Sequence, residues 1–310
     1  MGCITNQQEF DYYITPDGES LNLNDYNISF VMSSQGQGMA GITYQTQAGP
    51  FQHGSSPLTY LLQPRTISMV ITLKSNGREN YWENRAKFLD YFRPNRQTGT
   101  GLTCGKLRKI LPSGHTRDID VLIQSGLGMN IDYSGAYTEN RVSEGVQFIA
   151  FDPTFYDPTQ VSVSASISGF DNLLFPITFP ITFGASVIYD TFNVTYAGNW
   201  SASPIIVATG PFQSFRIENL TTGELLGVDY AISLGETLTI DTRTGYKTVT
   251  NQLGTNLIGT LTTDSDLSTF HIAPNPEAPL GVNNLRLSGS GGRVGQTSLT
   301  INYYSRYIGI

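Results

Sequence analysis

Apolar residues keep a period of two over most of this chain and leave it clearly once. Ile67, Met69, Ile71 and Leu73 alternate with Ser68, Val70, Thr72 and Lys74, which predicts a strand with one buried face. The spacing then lengthens. Tyr81, Arg85, Phe88, Leu89 and Phe92 follow at helical intervals with Trp82 beside the stripe. Asn76 offers an N-cap, Glu79 its capping-box partner, and Pro94 the stop. A helix of about four turns carrying so many aromatics has to pack on a sheet. Residues 102–111 and 118–123 predict a hairpin closed over Pro112-Ser113-Gly114. Residues 33–56, rich in Ser, Gln and Gly, predict a long surface loop or an extended arm that donates a strand to a neighbour.

The second half is almost wholly alternating. Val161, Val163, Ala165 and Ile167 are separated by serines, and Ile177, Phe179 and Ile181 repeat the pattern. Residues 230–234 and 237–241 flank Gly235-Glu236, which reads as a two-residue hairpin turn. Leu299, Ile301 and Tyr303 close the chain as a final strand. Short strands at this spacing predict a β-sandwich.

The two halves meet at a distinctive segment. After the strand pattern of 146–150 come two Asp-Pro steps, Asp152-Pro153 and Asp157-Pro158, with Phe155 and Tyr156 between them. Each proline removes a backbone donor and disfavours helix at the residue before it, so a strand is expected to end here. The two aromatics call for burial, which predicts a packed elbow at about 152–160 rather than a floppy linker. Its wording, Phe-Asp-Pro-Thr-Phe-Tyr-Asp-Pro, resembles the segment that joins the two domains of the distal tail proteins of long-tailed bacteriophages. Phe175-Pro176-Ile177-Thr178-Phe179-Pro180-Ile181 is similar to that family's entry strand. Tyr196-Ala197-Gly198-Asn199-Trp200 through Pro204-Ile205-Ile206, then Thr209-Gly210-Pro211, resembles its core. The likeness is specific over 146–310 and looser before it, where the Gly- and Gln-rich segment departs from the family.

The resemblance implies a mainly β protein: an α+β, ring-forming domain over 1–155, sandwich- or barrel-like with one helix, and a galectin-like jelly roll over 156–310. It implies a structural tail-tip or baseplate-hub role, with six copies in a ring that lets DNA pass. Implied partners are the tail tube protein, the tail-tip protein, the tape-measure protein, and receptor-binding proteins or a host-surface glycan. The place implied is the virion tail, after assembly in the host cytoplasm. In the elbow, Asp152, Pro153, Phe155, Tyr156, Asp157 and Pro158 are expected to set the chain's direction between domains.

Composition agrees and narrows the alternatives. The chain has 310 residues, enough for two cores, and only 14% are charged. Its formal net charge of −7 argues against gripping nucleic acid as a bare surface. Cys3 and Cys104 are too few for a disulfide framework, and no apolar run approaches the roughly 18 residues of a membrane span. The start lacks the basic and apolar regions of a signal peptide.

Catalytic chemistry is thin. His53, His115 and His271 fall in turn regions without a second ligand at metal spacing. Gly126-Leu127-Gly128 follows a strand but opens no helix, so it is no phosphate loop. Glu218, Glu224, Glu236, Asp241, Asp264 and Asp266 could include a glycosidase pair, but each sits where turns or a strand's polar face predict solvated acids. Trp200 is either a core residue or a sugar-stacking platform. The expected class is therefore a non-enzymatic structural protein without cofactor or metal. A carbohydrate-binding module, and less so a cell-wall glycosidase, are the alternatives.

Overall fold

The structure, a computed structural model, describes residues 10–25, 28–96, 102–128, 141–166, 187–293 and 295–310. Cys3 and the entry strand expected at 175–181 lie outside the described residues. Residues up to Pro158 together with Tyr307–Ile310 form one unit, and Thr159–Arg306 another. Sheets dominate both, as the alternation predicts, and every described strand pair is antiparallel.

In the first unit the chain forms β1 (Phe10–Ile14), β2 (Ser20–Asn22), β3 (Ser29–Gln35), β4 (Ile42–Gln47), β5 (Ser56–Leu62) and β6 (Arg65–Lys74). Helix α1 (Arg78–Phe92) precedes β7 (Gly105–Ile110), β8 (Thr116–Gly126), β9 (Arg141–Ala150) and the start of β10 (Phe155–Ser166). The strands lie in the order β2-β1-β7-β8-β9-β6-β3. The inward face of β6 is the one expected: Ile67, Met69, Ile71 and Leu73 are buried with Val146, Phe148, Ile119 and Val121. Helix α1 covers this core with Phe88 and Phe92; the Phe92 ring stacks on Tyr13 at 4.7 Å and meets Phe148 at 5.9 Å. Burial pushes the Tyr13 phenol up to about 12.

The helix departs from its predicted details. Its cap is Gly77 at φ 131° with no side-chain cap, and Asn76 instead uses its backbone N–H to donate to Asn80 Oδ1 at 3.2 Å. The buried face is Tyr81, Asn84, Phe88 and Phe92, whereas Leu89 and Trp82 are exposed. A rotation by one position decides this, because Asn84 donates to the Lys74 carbonyl at 2.9 Å and ties the helix to the end of β6. Arg85 is half-buried, its Nε shielded from solvent and its guanidinium 5.2 Å from the Trp82 ring. The hairpin over 112–114 does form, β7 against β8, with Leu111 accepting from Gly114.

The second unit holds β11 (Val187–Thr195), β12 (Ile205–Thr209), β13 (Ser214–Asn219), β14 (Glu224–Val228), β15 (Thr237–Asp241), β16 (Thr248–Asn251), β17 (Val282–Ser290) and β18 (Ser298–Tyr307). One sheet runs β16-β15-β12-β18-β10 and the other β11-β17-β13-β14. Alternate residues of both fill one core. Ile206, Ala208, Leu238, Ile240, Leu299 and Ile301 from the first face Phe215, Ile217, Leu226, Val228, Leu285 and Leu287 from the second. The edge at β14 is closed by a following segment. Thr262 donates to the Gly227 carbonyl at 2.9 Å, Asp266 to that of Leu225 at 2.8 Å, and Asp266 Oδ2 accepts from Leu225 N–H.

Residues 230–234 are not the strand predicted there. Ile232 is buried and exchanges backbone hydrogen bonds with Phe212 at 2.8 and 2.9 Å, and β15 pairs with β12 and β16 instead. Gly235 (φ 79°) and Glu236 still make a turn, with Glu236 donating back to the Ser233 carbonyl. The turn chemistry was local and correct; the pairing partner was not adjacent in sequence.

Candidate assembly site

The segment predicted as a loop or arm, 33–56, enters from β3 and becomes a two-stranded hairpin, β4 against β5, which pairs with no other described strand. Its register puts Ile42 opposite Leu62 and Tyr44 opposite Tyr60 on one face, and a bulge at Leu58 then interrupts the alternation. The other face carries Thr43, Gln45 and Thr59, with Leu61 among them. Tyr44 is 62% exposed, Leu58 64% and Tyr60 52%. At the tip Phe51 is fully exposed in a left-handed conformation, φ 63°, a costly backbone for a non-glycine residue. A two-stranded hairpin alone is marginal in water, and one with an aromatic and aliphatic face is a surface in want of a cover.

A second surface is notable for what it lacks. The outward faces of β3, β6, β8 and β9 form a shallow groove of about 340 Å³ lined by Ser33, Gln35, Ser68, Ser125 and Gln147, with backbone of Gly126 and Gly145 and no charged side chain. Gly126 (φ 113°) is there for close packing, since a β-carbon would sit 2.3 Å from the Gly145 carbonyl oxygen.

Five of the elbow residues find partners inside the first unit. Asp152 Oδ1 accepts from Thr154 Oγ1 at 2.8 Å, and the Pro153 carbonyl accepts from Arg65. Phe155 is buried in the core of that unit. Tyr156, half-buried, donates to Asp120 at 2.8 Å, and Asp157 pairs with Arg117 at 3.3 Å. The expected strand end is corrected at the second proline: β9 stops at Ala150, but β10 runs straight through Pro158 to Ser166. A proline whose missing N–H faces away from the ladder does not break it.

Trp200 is half-buried at a bridge to Arg306, where its N–H donates to the Arg306 carbonyl at 3.1 Å and its own carbonyl accepts from Tyr196. The acids do local work. Glu218 pairs with Arg286, Asp241 with Arg243 at 2.7 Å and Asp264 with Arg216 at 2.8 Å. Glu236 accepts from Ser233 N–H. No group of three or more metal-ligating side chains occurs among the described residues.

One pairing escaped the sequence reading. His271 Nδ1 lies 2.9 Å from Glu224 Oε2, its Nε2 3.1 Å from Glu277, and Thr269 adds a carbonyl. Burial works against its charge, but the Glu224 hydrogen bond, the Thr269 carbonyl and both carboxylates outweigh it and push the imidazole up to about 9. The folded value lies above the ordinary 6.5, so this stabilisation is complete below about pH 6.5 and fades as pH rises to about 9. The second unit's melting temperature is expected to fall across that window, and His271→Gln to flatten the slope. An unchanged slope in calorimetry of that variant would refute the assignment.

Over residues 197–307 the chain matches the siphovirus-type tail component, C-terminal domain. The distal tail resemblance stands. The tail-component match takes in Trp200 and the strands β12 to β18. Among solved structures, the Dit (gp 19.1) protein of phage SPP1, titled a paradigm of the hub adsorption apparatus in phages that infect Gram-positive hosts, is 16% identical. The match covers 96% of this chain and 99% of that one with a TM-score of 0.60. At that identity it shows a shared fold, which in this chain is mainly β with one α-helix among the described residues. A chain of the phage P2 baseplate in its activated conformation with Ca is 9% identical over 95% of this chain and 97% of that one, with a TM-score of 0.48. No curated protein matches by sequence.

Proposed function

We propose that this chain is a structural, non-enzymatic hub protein of a phage tail tip. Six copies close a ring through the first unit, join the tail tube to the adsorption apparatus, and leave a channel for DNA. The observation that carries this reading is the hairpin β4–β5, which presents an apolar face the described residues of its own unit do not cover. In a closed ring each subunit uses two different faces, so such an arm meets the neighbour's surface at every interface. The elbow at 152–158 and a galectin-like identity for the second unit belong to the same reading. So do the partners implied above.

The uncharged groove on β3, β6, β8 and β9 suits a channel wall. Its lining of hydroxyls, amides and apolar side chains carries no charge of either sign, so it lacks the counter-charge by which Lys or Arg would hold phosphates. Four arginines of this unit are engaged with carboxylates: Arg96 with Asp17 and Glu19, Arg108 with buried Asp118 at 2.8 Å, Arg117 with Asp157, Arg93 with Asp90. The side chain of Arg78 lies outside the described residues. The carbohydrate-binding alternative draws no support from Trp200, whose surroundings belong to a backbone bridge.

Native mass spectrometry of the purified chain tests the reading. A species near six subunit masses is expected; a monomer or dimer at micromolar concentration would refute the ring. Tight duplex-DNA binding by the assembled protein at physiological salt would refute the proposed channel wall.

A further inference from the structure

Arg65 opens β6 at the same parity as Ile67, Met69, Ile71 and Leu73, so its guanidinium enters the interior, where the residue is 3% exposed. Burial alone pulls its pKa down. Among its described contacts the guanidinium meets carbonyls. Nε donates to Pro153 at 2.8 Å, Nη1 to Gly36 at 2.8 Å and Gly38 at 2.5 Å, and Nη2 to Ile308 at 2.5 Å. The Phe155 ring closes one side, 4.8 Å from Cζ. Four acceptors from three separate segments match the planar, five-donor fork of an arginine and no other side chain.

The segments have something in common. Gly36 and Gly38 lie on the leg that climbs into β4, and Arg65 itself stands three residues past β5, so the guanidinium bridges both legs of the hairpin at its root. Residues 307–310 strap the same leg. Ile310 donates to the Gln37 carbonyl at 3.0 Å, and Gly309 packs so closely that a β-carbon would lie 2.6 Å from the Gly38 oxygen. Arg117 holds the start of the strap, its guanidinium 3.7 Å from the Tyr307 ring. Gly36 is pressed against Thr66 of β6, where a β-carbon would sit 2.1 Å from the carbonyl oxygen.

We propose that Arg65 is the positioning residue of the hairpin: with the 307–310 strap, it fixes the direction in which β4–β5 leaves the first unit. A residue serving only the core would spend its hydrogen bonds there; three of these four go to the hairpin root and the strap. The clamp is a property of the single chain. Its consequence for assembly rests on the ring reading.

The test uses the full chain with Arg65→Gln, which loses the fork and the charge, and Arg65→Lys, which keeps only the charge. In dilute protein, amides of 36–41 and 308–310 are expected to exchange at least about tenfold faster in Arg65→Gln, with β6 and β9 as protected as in wild type. Arg65→Lys is expected to fall between. Ring population in native mass spectra should drop in the same order. Uniform loss of protection across β6 and β9 would make Arg65 a core residue only. A loosened root with wild-type assembly would mean that the hairpin's direction is not what it sets. Should Arg65→Gln fail to fold, Gly309→Val displaces the strap while the buried cation stays, and an unloosened root there overturns the proposal. A monomeric wild type would remove the ring reading alone, and root exchange would still decide the clamp.

Discussion

Tyr44→Asp combined with Tyr60→Asp is expected to turn the assembled protein into monomers while leaving each subunit folded. Both side chains stand in solvent in the single subunit, so charging them costs that subunit almost nothing. At an interface each carboxylate would be buried without a partner, at roughly 2–4 kcal/mol apiece, enough together to weaken association more than a hundredfold. The opposite face supplies the control. Gln45→Asp with Thr59→Asp adds the same charge to the same strands and should leave the mass distribution nearly unchanged. Equal effects from the two pairs would show that general charge, not contact through the Tyr44–Tyr60 face, governs assembly. No effect from either would remove the hairpin from the interface.

Phe155→Ala carries the second large effect. The ring is buried in the first unit's core under the Arg65 guanidinium, so truncation removes its transfer free energy and leaves a cavity, about 3–5 kcal/mol in all. Tyr156→Phe should cost far less, about 1 kcal/mol, because only the hydrogen bond to Asp120 is lost from a half-buried ring. Denaturant unfolding of the full chain should show the first unit's transition moved by Phe155→Ala and the second unit's unmoved. Ready proteolysis of the wild type at 152–160 would contradict the packed elbow from which both expectations follow.

What the sequence determined was the identity of the buried faces and the likeness to tail components over residues 197–307. The β6 alternation and that of β18 name their core residues correctly, as do Ile240 and Leu238 in β15, because side-chain direction along a strand is a local property of the backbone. The Gly198–Pro211 wording, which lies within the stretch that matches a tail component, was legible for the same reason: it is contiguous. Tertiary structure alone decided the rest. Asn84 rather than Leu89 faces inward because a carbonyl at the end of β6 is there to receive it. The His271 pKa is raised because Glu224, far back in the chain, is brought beside it. Residues 33–56 read only as a loop or an extended arm, not as a hairpin, because the partners of Ile42 and Tyr44, Leu62 and Tyr60, lie beyond the turn and outside that polar stretch. One clue to the clamp was visible, an arginine at core parity at the head of β6. Its acceptors were not, because they are carbonyls that any residue carries, and only closure of the chain brings Gly36, Pro153 and Ile308 to one point.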